Sequence, residues 1–437
     1  MFNKAKQILS NREVVLKIII TFALLLVFKA GTYIPIPLID ISSIKGLIGN
    51  NDFLTVLNTF SGGGLSNFSI LALGISPYIT ASIVIQMLQM VIPKFREWGE
   101  EGENGKQKLN RFTRYTTILI SLIQGLLIIF SLGSKPDNIL TNSVLQYNDY
   151  YWVIYIYMAI VITAGSAFTM WLADLITRHG IGNGSSMIIV AGIISSIPKM
   201  FATLNSKYLG SNFTGLNLFL FILIVVLYVA MILGVVFFEG AVRKIPVQYA
   251  NRQAGQQGSD IPIKLNSASV IPVIFASTIL SIPLTVIGVL GLNPETSQPA
   301  YWINQIFSYR EPIGIAVYVI LIVFFSFFYS FIQIDPEKIA DNLEKQGAFI
   351  PGYRPGEETK KQLSKMLFRI TLIGATYLTI LALVPIIVSK AFGFTTSEAS
   401  VITIGGTSLI IIVGVAIETF RQIETASETK DYKGFLN

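Results

Sequence analysis

Histidine occurs once in this chain, as His179, and cysteine does not occur at all. No disulfide, thiolate nucleophile or cysteine–histidine metal cluster is therefore available. There is no phosphate-binding loop of the GxxxxGK[ST] type. Acid–base chemistry has little to draw on either. Charged residues make up 13% of the 437 positions, against roughly 25% in a soluble protein. His179 precedes a Gly-Ile-Gly-Asn-Gly turn that reads as a helix start, and it carries no chemistry of its own. Lys29 is the one clear ionisable residue inside an apolar run. Its expected role is modest: the side chain snorkels toward the outer interface, about a turn away. The other apolar runs hold no Asp, Glu, Arg or His deep inside, which argues against a proton- or ion-coupled carrier. What remains is the physical chemistry of apolar surfaces.

The elements that carry those surfaces are membrane spans. Hydrophobic residues are 52% of the chain, the mean hydropathy is +0.63, and apolar runs recur almost from end to end. A span needs about 20 mostly apolar residues. The runs near 16–34, 75–92, 113–133, 152–173, 185–202, 216–238, 269–290, 312–332, 367–388 and 399–418 give ten helices, and no soluble domain is visible. The first run is long for a signal-peptide core and is followed by Pro35 and Pro37 instead of a small-x-small site, so it reads as a retained span. With the N-terminus inside, 25 of the 32 Lys and Arg residues fall on the inner side and 6 on the outer, with Lys29 within the first span. The positive-inside rule then makes both termini cytosolic. The net charge of +7 is a topological signal, not a nucleic-acid signature.

One stretch departs from plain spanning helix. From Phe60 to Pro93 the chain begins with Gly62, Gly63 and Gly64. It then runs through short helix-like sequence, breaks at Gly74-Ile75-Ser76-Pro77, and resumes as an apolar helix. Free backbone at membrane depth is tolerated only where it is buried in protein or lines a watery cavity, so a broken segment points to a transport path. Two inner loops, 239–268 and 334–366, are far longer than ordinary helix connections. Both mix Pro, Gly and Arg with apolar residues, including Ile245, Val247, Tyr249, Phe349, Ile350 and Tyr353. They read as ordered hairpins and as a docking surface for a cytosolic partner. Ten spans divide into five and five, residues 1–205 and 206–437. An odd number per half requires any structural repeat to be inverted.

At the broken stretch and the two loops the chain closely resembles the SecY family, the channel-forming subunits of the protein-secretion translocon. The matching stretches are FSGGGLSNFSILALGISPYITASIVIQML, RHGIGNGSS, VRKIPVQYANRQ, VIPVIFAS, DPEKIADNLEKQGAFIPGYRPGEET and GGTSLIIIVGVAIET, distributed from span two to span ten. The resemblance implies an all-α membrane protein of two pseudo-symmetric halves around an hourglass pore, conducting unfolded polypeptides. It is no enzyme and needs no cofactor. The waist of the pore is implied to be Ile75, Ile79, Ile189, Ile274, Ile279 and Ile411. A plug is implied at about 59–72, where Phe60, Leu65 and Phe68 pack loosely against the ring and the three glycines act as a hinge. A lateral gate between spans two and seven would include Gln86, Gln124, Ser277 and Thr278. Signal sequences dock there, and apolar segments leave sideways into lipid. Arg243, Lys244, Arg252 and above all Arg354, held between two prolines, are implied to face the motor ATPase SecA or the ribosome. SecE is implied to clamp the hinge and SecG to sit peripherally. One departure is the Ser185-Ser186 pair, where many relatives are more apolar. Rival readings are an accessory member serving few substrates, a small-solute transporter with inverted repeats, and a structural scaffold.

Overall fold

A computed structural model describes residues 12–37, 58–132, 151–210, 215–249, 259–290, 292, 297–308, 311–394 and 408–425. The first helix, α1, spans Arg12–Gly31. Its buried residues Val14, Thr21 and Phe28 are seven apart, so one narrow stripe faces protein while the remaining apolar surface stays exposed, as suits a helix in lipid. Thr21 on that stripe receives the amide of Ile181 at 3.0 Å. After the broken stretch come α2 (Ser76–Val91) and α3 (Pro93–Glu100), with Pro77 and Pro93 in their first turns, where the missing amide costs nothing. The two axes diverge by 102° at Ile92.

Then follow α4 (Glu103–Leu132), α5 (Tyr151–His179), α6 (Gly184–Ile194) and α7 (Ile197–Tyr208). Gly182 turns the chain with φ of +84°. Asn183 caps α6 by accepting from the Ser185 amide at 3.1 Å and hydroxyl at 2.7 Å. The serine that departs from an apolar pattern therefore serves the helix start.

The second set of helices is α8 (Gly215–Gly240), α9 (Ile271–Val289), α10 (Gln298–Phe307), α11 (Pro312–Gln333), α12 (Pro336–Lys345) and α13 (Glu357–Ala391), with α14 over 408–425. Among the described residues, six helices are long and apolar enough to cross a membrane, or seven if the bent pair α2–α3 counts as one. The fifth and seventh expected spans contain shorter apolar helices, Gly184–Ile194 and Ile271–Leu284. The chain breaks the fifth near Ser195 and Ser196, and Pro283 interrupts the seventh. The tenth expected span begins outside the described residues.

Helices α1, α2, α4, α5 and α6 pack among themselves, and so do α9, α11 and α13, with α8 against α13. The two sets meet where α4 lies along α9 and where α7 lies along α8.

The long loops differ from the expectation of two separate hairpins. Strand β1 (Val242–Tyr249) pairs antiparallel with β2 (Ser259–Lys264) from its own loop and with β3 (Ala348–Phe349) from the other, in the order β2-β1-β3. One small core serves both loops: Ile245, Val247, Ile263, Ala340, Leu343, Ala348, Ile350, Leu363 and Ile370. Ile245, Val247 and Ile350 are buried there, Phe349 is half-buried and Tyr353 is exposed. Packing thus accounts for Ile245, Val247 and Ile350, which do not mark a docking surface.

Candidate functional site

All six isoleucines belong to, or pack against, the large main apolar cluster of the molecule. Ile75 caps the start of α2 and Ile79 follows one turn on the same face. Ile189 lies midway along α6, Ile274 and Ile279 on α9, and Ile411 on α14. Ile75, Ile189, Ile274 and Ile411 are buried members of the main apolar cluster, and Ile79 and Ile279 pack against it half-buried. Four helices, drawn from both sets, thus contribute branched aliphatic side chains to the same extended cluster. Such side chains offer a passing chain neither donor nor acceptor.

The stretch from Asn58 to Gly74 has one helical turn, over 58–60, and then a succession of tight turns. Asn58 and Ser61 tie it together. The Asn58 carbonyl accepts from Gly63 N at 2.8 Å and its Oδ1 from Ser66 N at 2.8 Å, and Ser61 Oγ accepts from Leu65 N at 3.2 Å. Gly62 and Gly63 take φ of +68° and +89°, which a side chain would resist, whereas Gly64 does not need a positive φ. Expectation and structure part on the packing. Of the three named side chains only Phe60 lies against the cluster that holds the isoleucines, which Leu71 also joins. Leu65 and Phe68 are buried in a second cluster with Ile128 and Ile129 of α4 and Met158 and Ile162 of α5. The segment is seated between helices, not resting loosely on the ring.

Its contacts name residues that sequence reasoning missed. A Cβ on Gly192 would come within 2.9 Å of Phe60 O and 3.1 Å of Gly62 N, so α6 receives the segment only because that position is bare. The chain after α1 pairs with it: Ile36 N donates to Phe68 O at 3.0 Å and Ile70 N to Ile34 O at 3.1 Å. Asn67 Nδ2 reaches Thr32 O at 3.2 Å. Lys29 does not simply snorkel. Its ammonium donates to the Gly62 carbonyl at 2.8 Å and lies 5.0 Å from the centre of the Tyr33 ring. An ammonium among apolar side chains was the legible signal here; its partner was not.

Gln86 on α2 donates to Ser82 Oγ at 3.1 Å, and its side chain also interacts with the Tyr329 hydroxyl of α11. The Tyr329 ring stands edge-on to Phe275 of α9 at 5.5 Å. Gln124 is half-buried on α4, the helix that α9 lies along. The buried Oε1 atoms of Gln86 and Gln124 have no hydrogen-bond partner among the described residues. Ser277 and Thr278 both donate at 2.8 Å to the carbonyl of Ile274 in their own helix. Tyr329 had no distinguishing mark in an aromatic run.

A further buried polar joint lies at the end of α8. Glu239 Oε1 accepts from Asn266 Nδ2 at 3.0 Å and Ser269 Oγ at 3.1 Å, and Arg421 of α14 donates to the Glu239 carbonyl at 2.9 Å. A carboxylate closing an apolar run was visible in the sequence, but the three elements it joins were not.

Among the proposed docking residues, Arg243 and Lys244 are exposed on β1 and Arg354 is exposed at its tip. Two prolines flank Arg354, and its backbone is clamped as well: its amide donates to Glu358 Oε2 at 3.2 Å, and its carbonyl accepts from Thr359 Oγ1 at 2.7 Å. Arg252 lies outside the described residues. No group of acidic, histidine or cysteine side chains suited to a metal occurs among the described residues.

Long apolar helices, a broken segment seated among them and an aliphatic cluster fed from both helix sets define a multi-pass helical membrane protein of the channel type. The SecY family profile matches residues 69–420. The chain is 42% identical over 448 residues to the protein translocase subunit SecY of Staphylococcus epidermidis, covering 100% of this chain and 99% of that one. It is 42% identical over 447 residues to that of Bacillus subtilis, covering 100% of each. Among solved structures it superposes on a protein-conducting channel with a TM-score of 0.65 at 18% identity, over 95% of this chain and 93% of the other. It also superposes on the channel of a canine ribosome-channel complex from the endoplasmic reticulum, with a TM-score of 0.62 at 18% identity over the same shares. The chain belongs to the SecY family. It is the protein-conducting channel subunit of a translocase, and not an enzyme.

Proposed function

We propose that the chain crosses the cytoplasmic membrane ten times, as two inverted halves of five spans, residues 1–205 and 206–437, with both termini in the cytosol. Unfolded secretory polypeptides pass outward between the halves, and transmembrane segments leave sideways. The observation that supports this reading is that the six isoleucines from α2, α6, α9 and α14 all belong to or pack against the one apolar cluster that both helix sets share, as do Phe60 and Leu71 of the broken stretch. A narrow aliphatic collar resists wetting, and hence ion leak, yet deforms around a peptide without binding it. The 59–72 segment is the plug. The seam of α2 and α4 against α9 is the lateral gate, where Gln86, Gln124, Ser277 and Thr278 supply weak polar contact, commonly worth about 0.6–2 kcal/mol in membranes.

Energy comes from a partner. Arg243, Lys244, Arg252 and Arg354 are the contacts for SecA or for ribosomal RNA. A tip clamped at both backbone groups loses little entropy on docking, and arginine suits phosphate. Channels among the structural neighbours were solved with ribosomes, which supports the second partner. SecE embraces the hinge at α7–α8, and SecG lies at the periphery. Membrane lipid and signal sequences complete the set of ligands.

The test uses the chain's lack of cysteine. Single cysteines replace Ile79, Ile274 or the exposed Phe219, and a secretory precursor with one cysteine is stalled halfway. Disulfide adducts at Ile79→Cys and Ile274→Cys but not at Phe219→Cys place the peptide path at the collar. Export that continues with no adduct at any collar position removes the assignment.

A further inference from the structure

We propose that Lys29 is the positioning residue that latches the plug in the closed channel. The inference rests on the plug reading of residues 59–72. An ammonium in the last turns of an apolar helix must be compensated locally or reach water. Here it spans from α1 to the turn at Gly62, next to Phe60, which packs against the main apolar cluster. That turn is held from three sides. Gly192 of α6 gives it room, Phe28 of α1 lies 3.6 Å from where a Gly62 Cβ would stand, and the Lys29 ammonium holds the Gly62 carbonyl at 2.8 Å.

The other ties between α1 and the segment act farther along it. They are the Ile36–Phe68 and Ile34–Ile70 backbone pairs and the Asn67 amide on Thr32 O. These form a fixed anchor at 67–70, and Leu65 and Phe68 are rooted beside it in the α4–α5 cluster. The two ends of the segment therefore differ in kind. The 65–70 end is bound by apolar burial and strand-like pairing. At the 60–64 end Phe60 packs against the main cluster, Gly62 lies against the bare Gly192, and the side-chain tie to α1 is the charge-assisted bond from Lys29. If the segment moves, the 60–64 end moves first, pivoting on the anchor.

Lys29 loses little by releasing it. Its stem lies half-buried, and a channel that opens admits water, in which an ammonium is stable without the carbonyl. The latch thus favours the closed state in the dry collar and loses its advantage when a translocating chain brings water in. A carbonyl that keeps a charged donor when closed and loses it when open biases the equilibrium by the worth of a charge-assisted bond, roughly tenfold or more in population.

The experiment measures resting potassium chloride flux through the purified, reconstituted translocase complex, together with export in cells of a precursor whose signal sequence is weakened. Lys29→Met retains stem length and removes the donor; Lys29→Arg retains charge and donors; a third chain lacks residues 60–68. The expected result is a resting flux raised about tenfold or more in Lys29→Met, with passage of the weakened precursor, and flux near the parental level in Lys29→Arg. A merely structural role would lower the amount of complex without relaxing the signal requirement. Lys29→Cys provides the same reading within one folded sample. An aminoethyl thiosulfonate that restores the positive charge lowers its flux, and a neutral methyl reagent does not.

If the chain without 60–68 leaks while Lys29→Met and Lys29→Cys stay as tight as the parent, the latch is overturned and the plug stands. If the chain without 60–68 is itself as tight as the parent, the plug reading falls and the latch with it. Leak in Lys29→Cys that responds equally to charged and neutral reagents also overturns the latch.

Discussion

Glu239 brings a carboxylate into the packed interior at the end of α8, where it is 6% exposed. It accepts from Asn266 and Ser269, which lie just before α9, and its carbonyl holds Arg421 of α14. Helix α9 carries Ile274 and Ile279, and α14 carries Ile411, so this joint ties the start of α9 to the last turns of α14. Replacing the acceptor with an apolar side chain takes a partner from the buried Asn266 amide and from the half-buried Ser269 hydroxyl, at up to about 1–3 kcal/mol each. Glu239→Leu is therefore expected to lower the melting temperature of the solubilised complex by several degrees. Glu239→Gln, which keeps an acceptor oxygen, lowers it less. Equal melting of both variants and the parent would show that the joint contributes nothing. The same residue scale explains why single isoleucines are so uninformative in sequence. A buried collar isoleucine and a lipid-facing one have the same chemistry, and only neighbours distinguish them.

At the scale of elements, the two long loops are one structure. Strand β3 adds to β1 across a separation of about a hundred residues, and the alternation of Ile245 and Val247 with exposed Lys244, Pro246 and Gln248 follows the two-residue period of a strand. Each loop supplies part of a core too small to stand alone. Ile245→Asp buries an unpaired charge there. It is expected to speed proteolysis in both 243–264 and 345–356 and to cut motor-driven translocation by about tenfold or more. Arg354→Ala is expected to cut translocation while leaving the proteolysis pattern unchanged, because the Arg354 side chain is exposed and its clamp acts through the backbone. Faster cleavage of only one loop in Ile245→Asp would contradict the shared core.

At the scale of the whole molecule, the two helix sets touch along α4–α9 on one side and α7–α8 on the other. Ser277 and Thr278 donate to their own helix, and the Oε1 atoms of Gln86 and Gln124 find no partner among the described residues. Polar groups thus lie on α2, α4 and α9 where the two sets meet. Bridging Gln124→Cys and Ser277→Cys with a short bismaleimide is expected to stop insertion of a model transmembrane anchor, and insertion returns when only one of the two cysteines is present. Undiminished insertion in a fully bridged sample would sink the gate assignment.

Class and family were legible from the chain alone, because both depend on local properties. Apolar run length decides what partitions into lipid, and glycine and proline decide where helix must break, so the start of α2 at Ser76-Pro77 and the cap at Asn183 fall where the residues placed them. The six isoleucines are singled out only through resemblance, since nothing in their spacing distinguishes them from lipid-facing neighbours. Tertiary structure alone decided three matters. It joined the two loops into one sheet, it moved Leu65 and Phe68 from the collar to the α4–α5 cluster, and it gave Lys29 a partner 33 residues away. Each depends on which surfaces meet across long sequence separation. A hydrophobic pattern says that a face must be covered, and a lone ammonium says that it must be compensated, but neither names the residue that does so.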